Sequence, residues 1–241
     1  MKGSITKLAI ASAGTLLAVG VAVAASTNAE KCLDGRVKAL TRYENCMQKL
    51  IAKAYIVVDP DQSKFSKCRE RYAMSWDRLA DLTGTICEGV RWVDNGDQTV
   101  TDNLTGLVWE QKTLAAGVHH VANLYSWTAA DGDASDEDGT VFTDFLSALN
   151  AGAGFAGSNG WRLPTVFELQ TILRSDPYPC GASPCIDPAF GPTLPVSYWS
   201  TTSGAKGLPS EAWDVDFDSG CVNCHTKTET FPARAVRGGL F

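Results

Sequence analysis

Asn159-Gly-Trp-Arg-Leu-Pro-Thr-Val-Phe-Glu-Leu169 reads as an extended segment running into a helix. Leu163 and Pro164 close the extended part, because proline brings no N–H to a ladder. Thr165 then stands where a helix is capped. Glu168, three residues on, is placed to reach back to the cap residue and complete a capping box. A helix is expected over residues 166–174.

The surrounding sequence alternates strand and helix signals. Between Arg91 and Glu110 lie the hairpin dipeptide Asn95-Gly96 and a second turn over 103–106. Thr99 to Thr101 and Leu107 to Trp109 suit strands beside them. Thr140 to Asn150 reads as a helix with Phe142, Phe145, Leu146 and Leu149 on one side. A glycine-rich loop over 152–160 leads from it into Trp161. Beyond the junction come Pro184 to Gly191, Tyr198-Trp-Ser-Thr-Thr202, Ala212 to Gly220 and Ala233-Arg-Ala-Val-Arg-Gly-Gly239. This alternation gives an α+β module. Trp161, Trp199 and Trp213 sit beside strand signals and are expected in its core. Arg162 and Arg237 are expected to meet buried carboxylates or carbonyls, the role for which a planar guanidinium is suited.

Taken in order, these segments resemble the Lcl C-terminal domain family (Legionella collagen-like protein C-terminal domain, formerly a domain of unknown function), over roughly residues 90–239. That family is similar to C-type-lectin-like folds. The resemblance therefore implies two helices, a strongly twisted antiparallel sheet, and a surface-exposed binding or adhesion role with carbohydrate as the ligand class. This chain departs from the family's namesake in having no Gly-x-y stem. It also has no Glu-Pro-Asn or Gln-Pro-Asp triplet for a calcium-dependent sugar site of lectin type.

Residues 30–88 form a separate unit. Leu33, Val37, Leu40, Met47 and Ile51 recur at helical spacing, and so do Phe65, Cys68, Tyr72, Trp76, Leu79 and Leu82. The stretch over 57–63 supplies a turn, Asp61 or Ser63 a cap, and Gly84 a terminator. The result is an α-helical hairpin. Cys46 and Cys68 lie eleven residues either side of Val57, at matched height in an antiparallel pair, while Cys32 shares a helix face with Cys46. Nested bridges follow, Cys46–Cys68 inside and Cys32–Cys87 outside. The hairpin's role is open between spacer, docking surface and oligomerisation element.

Lys2 and Lys7 precede an apolar run from Leu8 to Ala25 that ends in small residues, the order of a signal peptide over 1–25. Eight cysteines follow it, an even number in a chain read as exported, which predicts four disulfides and a secreted or periplasmic location. Charge divides at the same boundary as the pattern. Residues 30–88 hold eleven Lys and Arg against nine Asp and Glu, a net of +2; residues 89–241 hold eight against eighteen, a net of −10. An acidic, Trp-rich second unit excludes nucleic acid as its partner, since phosphates require a cationic surface. Like-charge repulsion argues equally against anionic polysaccharides on that unit.

Three stretches carry chemistry. Cys221-Val-Asn-Cys-His225 matches the attachment motif for haem c, with Cys221 and Cys224 as thioether donors and His225 as iron ligand. Met47, Met74, His119 and His120 are the other candidate axial groups. The alternative use is a local disulfide, Cys221–Cys224, placed in the turn of a terminal β-hairpin and matched by Cys180–Cys185, with cross-pairing among the four left open. Asp131, Asp133, Asp136 and Asp138 could offer oxygen ligands to calcium, but Phe142 stands where a helix-loop-helix site wants its bidentate Glu. No Ser, Cys or carboxylate pair forms a catalytic arrangement, and His119-His120 lacks zinc spacing. The expectation is a non-enzymatic binding protein without a cofactor and without a membrane span after cleavage. Its partner would be a glycan or cell-surface component. Haem c with electron transfer, calcium, and a structural envelope role through the hairpin are the alternatives.

Overall fold

The computed structural model describes residues 27–54, 61–81, 87, 90–129, 136–174, 179–204 and 208–239. The leader, the 57–60 part of the hairpin turn, Leu82, Gly84, Asp131 and Asp133 lie outside the described residues.

Helices α1 (Asn28–Ala54) and α2 (Gln62–Asp81) pack against each other as the expected hairpin. Each starts at a side-chain cap. At α1, Thr27 Oγ1 accepts the Glu30 N–H and Glu30 returns a carboxylate oxygen to the Thr27 N–H at 2.7 Å, a reciprocal pair that satisfies two orphan donors. At α2 the cap is Asp61, whose Oδ1 accepts the Ser63 N–H. Two S–S bonds staple the pair in the nested order, Cys46–Cys68 with Cα atoms 6.0 Å apart and Cys32–Cys87 with 5.2 Å.

The buried stripe of α1 is shifted from the one expected. Leu40, Tyr43, Met47, Ile51 and Ala54 face inward, while Leu33 and Val37 are 47% and 41% exposed. The reason lies beneath the hairpin. Its inner face packs on the rest of the protein rather than closing on itself alone, and Tyr43, Phe65, Tyr72 and Trp76 join the apolar core that the two share.

The module follows as short antiparallel strands. Strands β1 (Trp92–Asp94), β2 (Thr99–Asp102), β3 (Leu107–Glu110) and β9 (Val236–Gly238) form one sheet in the order β1-β2-β3-β9. Strands β5 (Ser197–Ser203), β6 (Glu211–Asp216) and β7 (Val222–Thr226) form a second, and β4 (Tyr125–Ser126) pairs with β8 (Thr230–Phe231). Asn95-Gly96 turns β1 into β2 as its composition demands, with Gly96 at φ +75°. A π-helical turn, Val141–Leu146, runs into the short α3 (Ser147–Leu149), and α4 spans Val166–Thr171. Helix α4 stops three residues short of the expected end because Leu173 bridges to Ile186 as extended chain.

The capping box at the head of α4 is formed from both sides: Glu168 N–H to Thr165 Oγ1 at 3.1 Å and Thr165 N–H to Glu168 Oε2 at 2.7 Å. The same carboxylate takes both Arg162 guanidinium nitrogens, at 2.7 and 2.8 Å. Arg162 thus finds the buried carboxylate expected of it. Arg237 instead lies over the Trp161 ring, 5.3 Å from its centroid. Trp161, Trp199 and Trp213 are all core residues.

One apolar cluster runs from the hairpin through α4 into β6, and a second gathers Trp127, Phe145, Trp161 and Trp199. Arg36 donates to the Leu104 carbonyl, Tyr43 Oη to the Phe167 carbonyl, and Arg69 to Gln170. Hairpin and module therefore share a core.

Candidate ligand-binding surface

The buried charges of the module are occupied with one another. Glu110, fully buried on β3, accepts from Lys112 Nζ at 2.8 Å, from His119 Nδ1 at 2.8 Å and from the Ala235 N–H at 3.0 Å. Burial alone would raise its carboxyl; the Lys112 ammonium and the two further donors outweigh that and hold it below its ordinary value. Lys112 in turn is lowered by burial, against the pull of Glu110. Arg234 Nη1 donates to the carbonyls of Glu110 and Phe190, tying β3 to the chain that enters β9. Asp102 is likewise enclosed, taking Arg91 at 3.1 and 3.2 Å together with the Leu104 N–H and the Thr105 hydroxyl. These clusters close loops and join strands.

His119, one of the two adjacent histidines considered for chemistry, is thus a partner of Glu110. His120 accepts the Ala122 N–H on Nδ1 at 3.2 Å and shapes its own turn. Asp138 accepts the Thr128 hydroxyl and the Ala129 N–H, at 2.9 and 2.7 Å, and Asp136 is exposed. Among the described residues no three His, Cys, Asp or Glu side chains converge as a metal site.

Cys221-Val-Asn-Cys-His225 is placed differently from the expectation. The turn it was assigned to is made by 217–220, and the motif itself supplies strand β7, with Cys224 opposite Trp213 and His225 opposite Ala212. Cys180–Cys185 is bonded as expected, with Cα atoms 5.7 Å apart. The strand also separates the haem candidates. Cys224 packs on the larger core, while His225 turns to Phe231 and gives Nδ1 to Asp214 at 2.7 Å. Two thiols and an imidazole on alternating faces do not fit one haem. Met47, fully buried in the hairpin, is no closer to that role.

Helices α1 and α2 leave a groove with two adjoining cavities of about 540 and 380 Å³, and a third cavity of about 330 Å³ lies where Arg91, Trp92 and Asp187 meet Ala73 of α2. The groove's floor is the Cys46–Cys68 bond and the stacked Tyr43 and Tyr72 rings, whose centroids are 4.6 Å apart. Its walls carry Arg42, Lys49 and Lys53 from α1 and Lys64, Lys67 and Arg71 from α2, with Arg78 at one end. Among the described residues no carboxylate lines either cavity of the groove. The pattern was present in the sequence as basic residues seven and four apart on α1 and three, four and seven apart on α2. A net charge of only +2 over 30–88 hid it, because Asp59, Asp61 and Glu88, outside the two helices, offset most of the excess that the helices carry.

A helical hairpin stapled by two disulfides and sharing a core with a module of antiparallel sheets defines an α+β protein whose second part is built around a capped Trp-Arg-Leu-Pro junction. The Lcl C-terminal domain model matches residues 98–237, and the chain belongs to that family. No curated protein matches it.

Proposed function

We propose that this chain is an exported, non-catalytic binding protein of adhesion type, with carbohydrate as its ligand class. The observation that carries the reading is the distribution of polar groups. The Glu110 cluster of the module is buried and spent on structure, whereas the larger cavities, walled by Lys and Arg side chains, are on the hairpin. Catalysis would need the opposite arrangement, perturbed groups facing a cleft that admits substrate. Export is supported by the leader-like order of residues 1–25 and by the three S–S bonds, which persist in oxidising compartments.

Assembly into the envelope through the hairpin is less favoured, because the broad apolar face it would use is already covered by the module. Leu33, Val37 and Met74 remain exposed as single side chains, which is ordinary for a protein surface.

The test is a broad glycan array probed with the whole exported chain, since a shared core makes the isolated module an unsuitable reagent. Binding to a defined set of glycans is the expected outcome. An array on which the folded chain binds nothing would end the carbohydrate reading.

A further inference from the structure

We propose that the groove between α1 and α2 is a site for an anionic amphiphile, whose acyl chain lies along the floor and whose acidic headgroup is held by the cationic rim. The proposal goes beyond the carbohydrate reading and does not depend on it.

The floor is the first argument. Ala39, Tyr43, Cys46 and Leu50 of α1 and Cys68 and Tyr72 of α2 line it without a charged group. The Cys46–Cys68 bond crosses it, and Tyr43 spends its hydroxyl on the Phe167 carbonyl at 2.8 Å. The two cavities share Arg42, Cys46, Cys68 and Arg71 in their linings and so run into one another. Helices rise about 1.5 Å per residue, so the stretch from Ala39 to Lys53 is about 21 Å long, and so is that from Lys64 to Arg78. A lipid's acyl chain spans half of a hydrocarbon core about 30 Å thick, so it fits this length without folding back. Each cavity, at about 540 and 380 Å³, is within the roughly 300–1,000 Å³ of small-molecule sites.

The rim is the second argument. Seven Lys and Arg side chains stand on the walls and, of these, Lys64 alone has a carboxylate partner among the described residues, Asp61 at 3.2 Å. Lysine and arginine lay their methylene stems along apolar surface and keep the charged head in water. The groove is therefore apolar at depth and cationic at its mouth. Methylenes of a ligand leave water at the floor, while its phosphate, sulfate or carboxylate accepts charge-assisted hydrogen bonds from the rim.

Other polyanions match only half of this. An acidic polymer with no hydrocarbon meets the rim and leaves the floor unfilled. Single-stranded nucleic acid uses aromatic faces on which bases stack, but Tyr43 and Tyr72 are buried and already stacked on each other, with centroids 4.6 Å apart. A bilayer presents its headgroups as a plane, which touches the rim and not the floor. A single chain with one acidic headgroup engages both.

The experiment uses the whole exported chain with its disulfides intact, titrated by calorimetry with dodecyl phosphate below its micelle concentration. Decyl phosphate tests the chain and dodecyltrimethylammonium the charge. Inorganic phosphate, dextran sulfate and phosphatidylglycerol vesicles serve as comparisons. The variant is K49Q/K53Q/K67Q/R71Q, all at exposed positions, with folding checked by thermal unfolding. We expect saturable binding of dodecyl phosphate, about tenfold weaker binding of decyl phosphate for its two missing methylenes, and none of the cationic analogue. The variant is expected to bind dodecyl phosphate at least about tenfold more weakly. A decyl chain that binds equally well, or inorganic phosphate or dextran sulfate that binds as tightly, would reduce the groove to a plain anion site and overturn the proposal. Equal affinity for the cationic analogue, or binding that survives the four substitutions, would overturn it as well. Vesicle binding without binding of the monomeric amphiphile would move the partner to a membrane surface, and silence from every probe would sink the site.

Discussion

Gln62, the first residue of α2, holds the backbone of Val222 with both ends of its amide: Nε2 donates to the Val222 carbonyl at 3.0 Å, and Oε1 accepts the Val222 N–H at 2.9 Å. β7 is an edge strand, and an edge with open N–H and C=O groups templates unwanted pairing. The hairpin seals that edge at one residue 160 positions away in sequence.

Replacing Gln62 by Ala should lower stability by about 1–2 kcal/mol, the net worth of two hydrogen bonds, one of which leaves a half-buried N–H behind. Gln62→Glu should not rescue it, because a carboxylate cannot donate to the Val222 carbonyl. Urea unfolding gives the stability, and faster hydrogen exchange at the Val222 amide locates the loss. Unchanged exchange there would contradict the clamp.

Removing the inner staple with Cys46→Ser and Cys68→Ser should cost about 3 kcal/mol, set by the entropy released to an unfolded chain whose loop of 22 residues is no longer closed. The same change opens the floor of the groove. A parallel loss of dodecyl phosphate affinity is expected, measured by the titration used for the lysine variants.

Glu110→Gln should be the most damaging single change in the module, about 3–5 kcal/mol, because it strands the buried Lys112 ammonium. The carboxyl of Glu110 is held below its ordinary 4.5, so its contribution is complete above that value and is lost as pH falls through the lower native one. Wild-type stability should therefore drop steeply on acidification below about pH 4.5. Thermal melts across that range check it, and the variant's curve should be flatter.

His225 shows the opposite sign. Its hydrogen bond to Asp214 raises the imidazole above its ordinary 6.5, so the pair's stabilisation is complete below that pH and declines as pH rises through the raised value. An NMR titration of the His225 ring should place its midpoint above 6.5, and in Asp214→Asn the midpoint should fall back. A wild-type midpoint at or below 6.5 would contradict the pair.

Gly220 turns β6 into β7 at φ +78°, and a Cβ there would stand 3.1 Å from Cys180 Sγ and 3.2 Å from Arg69 Nη2. Gly220→Ala should destabilise by more than the roughly 1 kcal/mol of the backbone alone, since the neighbours are a disulfide and a buried guanidinium. Circular dichroism melts against Gly96→Ala, where φ is +75° but no atom lies within 4 Å, separate strain from crowding.

Local chemistry was legible in the sequence. The Thr165–Glu168 capping box, the Asn95-Gly96 turn, the nested hairpin disulfides and the buried tryptophans depend on neighbours within a helix or turn, or on matched height in an antiparallel pair, and spacing encodes those. Tertiary structure decided the rest. The stripe of α1 shifted because burial depends on which element covers the helix, and spacing alone cannot tell a hairpin closed on itself from one packed on a second unit. The Cys221 to His225 segment changed meaning because strand pairing with β6 stretched it, separating side chains that a turn would have brought together. The basic groove existed only once two helices, each carrying a modest positive charge, were set side by side. Sequence fixes what each residue can do within a few positions of itself; long-range packing fixes what it meets.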